Sequence, residues 1–198
     1  MFLPDFMIRS MSIGAETEQM DEPLIYPFNE ECLGPASYDL TVAANFASPS
    51  EMKGFIYRNG QKYHALQDSK EFADIKLKAG EQLGIVLNPG QPVLCHAVER
   101  VALPPTCVVQ LYTRSSYARQ WLNHSTATGI WPGFKGQITF ELKNEGVEPF
   151  VIKSGDRVLQ IAFCKMLAPP EKVYNGLYQN QKAQLHSLRL IDIDTVMP

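Results

Sequence analysis

Hydrophobic and polar residues alternate with a period of two along most of the chain, which is typical of strands with one buried face. From residue 75 onwards, turn residues interrupt this alternation at short intervals, at Gly80, 88–90 and 104–105. Residues 55–66 predict a hairpin, because the Asn-Gly pair between its two halves supplies the positive φ angles of a tight turn. Many short strands with turns between them favour a mainly β fold, a sandwich or a jelly-roll-like barrel.

Helical pattern is sparse. The clearest helix is predicted from Ser115 to Leu122, and residues 1–22 fit either a short helix or an extended arm. The tail after residue 170 is polar, and we expect it to order only on a ligand or a partner. We find no internal repeat, so the prediction is one domain over 1–198, with an N-terminal arm (1–23) and a C-terminal tail (170–198).

Composition fits a globular domain and restricts its partners. The 198 residues are 45% hydrophobic and 20% charged, with a net charge of −3 and a pI near 5.8. A nucleic-acid-binding protein needs a dense basic face, so we expect no nucleic-acid partner. No apolar run approaches the roughly 20 residues that span a bilayer, and the N-terminus lacks a signal pattern. We therefore expect no membrane association and a cytoplasmic location.

The four cysteines, at positions 32, 95, 107 and 164, form no CxxC pair and stand among apolar neighbours. They predict reduced core residues, since zinc clips and redox motifs use paired cysteines. His96 and Glu99 have the wrong spacing for the His-x-Glu motif of zinc deaminases, and Cys107 has no second cysteine three residues away. We expect no zinc, with His96 as a strand residue.

The polar cluster Arg114, Ser115, Ser116 and Arg119 has two interpretations. Serine and arginine are common at solvated helix starts, where serine is a frequent N-cap. Two guanidinium groups and two hydroxyls also suit a triphosphate, because arginine offers a rigid fork of donors. Spacing alone leaves both interpretations open.

Glu141 is the second candidate. Alternation over 137–143 places Ile138, Phe140 and Leu142 on one face and Glu141 on the other. On a solvent face Glu141 is a surface residue beside Lys143. In a pocket it is a candidate general acid–base, and the pattern alone does not decide between them.

Several motifs, in order over roughly residues 24–185, resemble the deoxycytidine triphosphate (dCTP) deaminase family, which belongs to the trimeric dUTPase-like superfamily. The segments that carry the resemblance are PASYDL (35–40), LNPG (87–90), ERVALP (99–104), RSSYAR (114–119), His124, PGFKG (132–136), TFELKN (139–144), GDRVLQIAF (155–163), YNG (174–176) and YQNQ (178–181). A series of separate motifs is far more specific than any one of them.

The resemblance implies a distorted jelly-roll subunit with one or two short helices, in a homotrimer whose active sites lie between subunits under the C-terminal tail. It implies deamination of dCTP to dUTP without a catalytic metal, with Mg²⁺ bound through the triphosphate. Glu141 would carry the proton and Ser115 would hold the attacking water. The implied substrate-binding residues are Arg114, Ser116, Arg119, Trp131, Thr139, Phe140, Tyr174, Gln181 and Lys182.

The chain departs from the family pattern at three positions. Trp131 stands where the family usually has an Asp that contacts the deoxyribose, Leu177 replaces a triphosphate-binding Lys, and Ala183 replaces a Gly. Lys182 is a candidate substitute for the lost cation. These departures keep two alternatives open: a deaminase for a modified pyrimidine deoxynucleotide, and a non-catalytic regulatory trimer that binds nucleotides. A deaminase that also releases pyrophosphate is disfavoured, because tryptophan accepts no hydrogen bond from a water.

Overall fold

The chain folds mainly into strands, as the alternation predicts. The structure is a computed structural model that describes residues 1–14, 16, 18, 20–47, 53–66, 78–124 and 126–183. The elements in chain order are α1 (Asp5–Ile13), β1 (Ile25–Tyr26), a 3₁₀ turn (Glu30–Cys32), β2 (Tyr38–Ala47), β3 (Lys53–Arg58), β4 (Gln61–Leu66), β5 (Glu81–Leu87), β6 (Pro92–Ala102), β7 (Cys107–Thr113), α2 (Ser115–Ala118), β8 (Leu122–Asn123), β9 (Gly129–Ile130), β10 (Lys135–Asn144), β11 (Phe150–Lys153) and β12 (Arg157–Lys165).

Two antiparallel sheets share one hydrophobic core. The larger, curled sheet has the order β8-β10-β6-β2-β12-β7-β9, with β1 pairing the end of β6. The smaller sheet has the order β11-β5-β3-β4. Asn144, at the end of β10, joins the two sheets: its side-chain amide donates to the carbonyl of Leu87 (2.9 Å) and to that of Glu148 (2.8 Å).

The 55–66 hairpin is confirmed as β3–β4. Asn59 and Gly60 occupy its turn with φ values of 50° and 77°. The turn at Gly155 between β11 and β12 also has a positive φ, of 89°. Both turns lie where the Gly-containing breaks in the pattern predict them.

The helix predicted at Ser115–Leu122 is shorter than expected. It ends at Ala118, and Leu122 begins β8. Trp121 has a φ of 63°, a left-handed conformation that no α-helix continues through. At the N-terminus, the helix alternative is confirmed by α1, whose Ile8 is fully buried against the core.

The cysteines are free thiols: Cys32, Cys95 and Cys107 are buried and Cys164 is partly buried, as predicted. His96 lies on β6 and is buried. Its Nδ1 bonds the carbonyl of Ala97 at 2.8 Å, whereas its Nε2 has no partner in the described part of the chain. No helix among the described residues is both long and apolar enough to cross a membrane.

Candidate active site

The first candidate site is an open pocket of about 480 Å³, here called the Glu141 pocket. Strands β6, β7, β9 and β10 and the C-terminal tail contribute its walls. Its lining residues are mostly apolar or aromatic: Leu94, Leu111, Ala127, Gly129, Ile130, Trp131, Phe134, Ile138, Thr139, Glu141, Tyr174, Tyr178 and Gln181. Apolar walls with a few polar groups are typical of sites for small organic ligands.

Glu141 faces this pocket, which decides between the two interpretations of its strand. Residues Ile138, Phe140 and Leu142 are buried in the core, and the side chain of Glu141 is 33% exposed on the other face. Its Oε2 is buried and has no hydrogen-bond partner among the described residues. Burial raises the pKa of this carboxyl above its ordinary value of 4.5. A raised pKa makes this carboxyl group a better proton acceptor than an ordinary glutamate, which suits a general acid–base.

His124 contacts Glu141 but does not line the Glu141 pocket. Its side chain is fully buried, with Nδ1 3.1 Å from the backbone oxygen of Glu141 and 3.8 Å from Oε2. Because a carbonyl oxygen only accepts, Nδ1 carries the proton in this contact. Burial lowers the pKa of His124, so the ring is neutral at pH 7 and does not neutralise the carboxylate.

Trp131 forms part of the pocket wall and is 60% exposed. Its indole lies beside Gly129: a Cβ atom built on Gly129 would be in ordinary van der Waals contact with the ring, at 3.6 Å. An indole has one donor and no acceptor, so this wall offers a ligand mainly an aromatic face.

A second pocket of about 380 Å³, here called the Arg114 pocket, contains the start of the polar cluster. Arg114, Ser115 and Ser116 line it together with Asp39 and Gln160. The Arg114 side chain is already engaged, with Nε 3.0 Å from Asp39 and a terminal nitrogen 2.7 Å from the carbonyl of Arg157. Burial raises the pKa of Asp39, although Arg114 and Arg157 oppose the shift.

The N-cap interpretation of the two serines is wrong. Arg114 occupies the N-cap position of α2 without a side-chain cap, and Ser115 and Ser116 stand exposed in the first turn. Their hydroxyls are therefore available at the mouth of the Arg114 pocket, together with an arginine whose orientation Asp39 fixes.

The remaining predicted site residues lie in different surroundings. Thr139, Tyr174 and Gln181 line the Glu141 pocket. Phe140 is fully buried in the core and does not line the Glu141 pocket. Arg119 and Lys182 are exposed and line neither pocket, and Leu177 is 60% exposed. Contacts of these residues with a substrate stay predictions.

The C-terminal tail is docked on its own chain, which corrects our expectation for residues 174–183. Gln181 forms a parallel bridge with Gly136, and its carbonyl accepts from the backbone N–H of Gln137 at 3.1 Å. Asn180 N–H donates to the carbonyl of Lys135 at 2.7 Å. The polar composition gave no sign of this, because backbone hydrogen bonds to a strand edge supply the docking. Residues 184–198 lie outside the described residues.

Within one chain, the structure does not bring the predicted site residues together. The polar cluster and Glu141 occupy separate pockets, each lined by its own residues. Sequence reasoning also missed Asp39 as the partner of Arg114, Tyr178 as a wall residue, and His124 as the contact of Glu141. Only a resemblance across the whole motif series gave a signal for them, since each contact joins distant parts of the chain.

No group of three or more His, Cys, Asp or Glu side chains suited to a metal ion occurs in the described ranges. Among the described lining residues, Glu141 is the one acidic residue of its pocket, whereas the Arg114 pocket has Glu31 and Asp39, of which Asp39 pairs with Arg114.

Comparisons with known proteins agree with the motif series. A family model described as dCTP deaminase-like matches residues 10–166. A dCTP deaminase of Thermococcus kodakarensis is 34% identical over 182 residues, which cover 92% of this chain and 94% of that protein. A "dCTP deaminase, dUMP-forming" of Persephonella marina is 30% identical over 180 residues, covering 90% of this chain and 95% of that protein.

A solved structure supports the fold. The 2′-deoxycytidine 5′-triphosphate deaminase from Agrobacterium tumefaciens superposes with a TM-score of 0.55 at 20% identity. The match covers 82% of this chain, and this chain spans about half (47%) of the length of that one. The predicted mainly β, jelly-roll-like fold with two short helices is thereby confirmed.

Proposed function

Because the chain belongs to the dCTP deaminase-like family, we propose that it hydrolyses dCTP to dUTP and ammonia in pyrimidine deoxynucleotide metabolism. The observation that carries the proposal is the half-buried carboxyl of Glu141, with its raised pKa, in a pocket of apolar and aromatic residues. Such a pocket suits a neutral heterocycle, and its one carboxyl group suits the proton transfers of hydrolysis.

The proposed reaction adds one water and removes one ammonia. Ionised Glu141 takes a proton from the water as its oxygen attacks C4 of the cytosine, and passes this proton to the ring nitrogen N3. The second proton of the water then moves through Glu141 to the exocyclic amino group, the C4–N bond breaks, and ammonia leaves. Neutral His124 donates to the backbone oxygen of Glu141 and so fixes the strand position from which the carboxyl group acts.

We propose that Ser115 helps to hold the water and that Arg114, Ser116 and Arg119 act on the triphosphate. Since Ser115 and Glu141 line different pockets of one chain, the proposal requires a neighbouring subunit to bring its Arg114 pocket to the Glu141 pocket. We therefore propose a homotrimer with sites between subunits, as the family resemblance implies. Mg²⁺ would arrive on the triphosphate, and the protons would move through Glu141 without a metal-activated water.

We propose dUTP as the product, although some relatives are named dUMP-forming. Diphosphate release needs a second water positioned at the phosphates, and a side chain that accepts a hydrogen bond is the usual means. Trp131 has no acceptor to offer at its position on the pocket wall. Stoichiometric pyrophosphate release alongside ammonia would contradict this part of the proposal.

The test is ammonia release from dCTP with Mg²⁺, by the wild type and by Glu141→Gln. We expect the amide to lower kcat by roughly 10²–10⁴-fold, the usual contribution of a positioned acid–base group. Glu148→Gln, which changes an exposed carboxylate outside the pocket, is the matched control and should keep full activity. Undiminished turnover in Glu141→Gln, or no turnover in the wild type, would refute the proposal.

A further inference from the structure

Helix α2 is too short to keep its conformation by its own hydrogen bonds. It has four residues and no side-chain cap in the described part of the chain. Its first backbone bonds run from the N–H groups of Tyr117 and Ala118 to the carbonyl of Arg114, at 2.9 Å each. Isolated helices shorter than about 12 residues are marginal in water, because the first turn costs more conformational entropy than its few bonds return. The helix that carries Ser115 and Ser116 therefore depends on contacts with the rest of the fold.

Tyr117 anchors α2 to the core. All four residues of α2 are described, and Tyr117 alone among them is partly buried, whereas the other three are exposed. Its ring packs edge to face on that of Phe150, with the centroids 6.0 Å apart and the planes at 64°. Both rings pack against the hydrophobic core. Phe150 begins β11 at the edge of the smaller sheet, so this aromatic pair joins α2 to that sheet.

The anchored ring sets the direction of the two serines. Successive residues of an α-helix are about 100° apart around its axis, so Ser115 lies roughly 200° from Tyr117. With Tyr117 turned towards the core, Ser115 faces outwards, and both serines line the Arg114 pocket. Arg114 is held separately by its ion pair with Asp39. A rotation of α2 would therefore move the hydroxyls of Ser115 and Ser116 relative to an arginine that stays in place.

The contacts after α2 fix the course of the chain but not the rotation of the helix. Glu145 N–H donates to the carbonyl of Trp121 at 2.9 Å, and β8 then pairs with the end of β10. The left-handed conformation of Trp121 separates these contacts from α2. Gln120, whose side-chain nitrogen donates to the carbonyl of Ser116 at 2.9 Å, belongs to the same turn and moves with it. The ring of Tyr117 is thus the contact that sets the rotation.

We propose that Tyr117 is a positioning residue for the deamination: its packing on Phe150 fixes the direction of the Ser115 and Ser116 hydroxyls in the Arg114 pocket. The described residues of the smaller sheet line neither pocket, yet the sheet thereby contributes to substrate binding. The kinetic consequence rests on the proposed function, in which Ser115 holds the water and Ser116 acts on the triphosphate. A misplacement of about 1 Å is enough to cost a positioned group roughly 100-fold in rate.

The first test measures α2 itself and needs no substrate. Tyr117→Ala removes the ring, and we expect amide hydrogen exchange at Ala118 and Arg119 to accelerate at least about tenfold relative to the amides of β10. This should occur although alanine is the better helix former. Tyr117→Phe keeps the ring and should keep the wild-type protection. The matched control is Tyr57→Leu, which removes an aromatic ring of the same smaller sheet that lies over Gly84, and it should leave the α2 amides unchanged. Unchanged protection of α2 in Tyr117→Ala overturns the inference.

The second test is kinetic, with dCTP and Mg²⁺. Tyr117→Ala and Phe150→Leu should each raise KM for dCTP about tenfold or more and lower kcat, whereas Tyr117→Phe should leave both constants unchanged. A partly unfolded enzyme has a lower apparent kcat with an unchanged KM, so KM separates positioning from loss of fold, and Tyr57→Leu should keep the wild-type KM. Because the two rings act through one contact, the double variant should lose no more than the worse single variant.

The outcomes separate the inference from the proposed function. An unchanged KM in Tyr117→Ala, or losses in the double variant that simply add, overturns the inference and leaves the proposed function standing. No turnover in the wild type, with faster exchange of the α2 amides in Tyr117→Ala, refutes the proposed function and leaves the anchoring role of Tyr117 standing.

Discussion

Burial of Glu141 disfavours the ionised form of its carboxyl group, and this changes how the stability of the fold depends on pH. Its pKa is raised in the folded protein by burial, so the folded state binds this proton more tightly than the unfolded state does. The stability that the group contributes is therefore fully present below the ordinary value of 4.5 and is lost as the pH rises through the raised pKa. The group proposed for catalysis is thus one that destabilises the fold at neutral pH.

Glu141→Gln should consequently stabilise the protein at pH 8 while it removes activity. The amide has the shape of the protonated carboxyl and avoids the cost of ionisation in the pocket. Denaturant unfolding at pH 4.5 and pH 8 should show a free-energy gain over the wild type that grows with pH. The exposed control Glu148→Gln should show no such growth, and a gain of equal size at both pH values would contradict the assigned cause.

The sequence alone predicts on which face of β10 Glu141 lies, but not which residues surround it. Alternation along 137–143 is a local property of a strand, and the structure confirms it. Leu94 reaches Glu141 through strand pairing and His124 through a backbone contact, and both stand far from it in the chain. Such contacts depend on the register of strands that only the complete sheet determines.

Among the secondary-structure elements, the C-terminal tail and the turn before β10 depend on each other. Gly133 has a φ of 85°, and a Cβ atom built there would lie 2.7 Å from the Cβ of Val173 in the tail. The side-chain nitrogen of Gln179 donates to the carbonyl of Gly133 at 2.8 Å, and Tyr174 N–H donates to that of Pro132 at 2.8 Å. The turn thus fits the tail only while residue 133 has no side chain.

Gly133→Ala should detach the tail, and Gly90→Ala is its matched control. Gly90 has a similar φ of 78°, but a Cβ atom there would meet nothing within 4 Å. Both variants should lose about 1 kcal/mol from the left-handed backbone, and only Gly133→Ala should gain rapid proteolysis and hydrogen exchange over residues 171–183. Equal protection of the tail in the two variants would show that Val173 yields without undocking.

The two errors at the level of elements have identifiable causes. The pattern of residues 115–122 is compatible with a helix, but the left-handed conformation of Trp121 ends it early. The tail is polar and short of apolar residues, which is typical of a segment without its own core. It docks nonetheless, because backbone groups at Lys135 and Gln137 pair with it, and composition carries no record of backbone hydrogen bonds.

At the scale of the whole molecule, the separation of the two pockets predicts complementation between subunits. If each site combines the Glu141 pocket of one subunit with Ser115 of another, Glu141→Gln and Ser115→Ala chains should restore activity when mixed. In randomly assembled trimers about a quarter of the sites would be intact. Co-expression of the two inactive chains, followed by an ammonia assay, measures this.

The complementation experiment has a clear opposite outcome. Both variants keep the buried residues of the core, so assembly itself is not expected to change. A mixed preparation whose activity equals the mean of the two separate variants would place both residues in one chain's site. Size-exclusion chromatography of the mixture would show whether the assembly is trimeric.

The alternation of side chains along β10 constrains the number of residues between the tail contacts and Glu141. The tail is clamped at Gly136 and Gln137, a register irregularity follows between Gln137 and Thr139, and Glu141 comes four residues after the clamp. Because side chains alternate between faces, gaining or losing a single residue in those few positions would turn Leu142 or Phe140 towards the pocket and Glu141 towards the core. In such a chain the tail would still bond to Gly136 and Gln137, but the side chain facing the pocket would be apolar. The number of residues between Gln137 and Glu141 must therefore stay fixed, even where the loops elsewhere in the chain change in length.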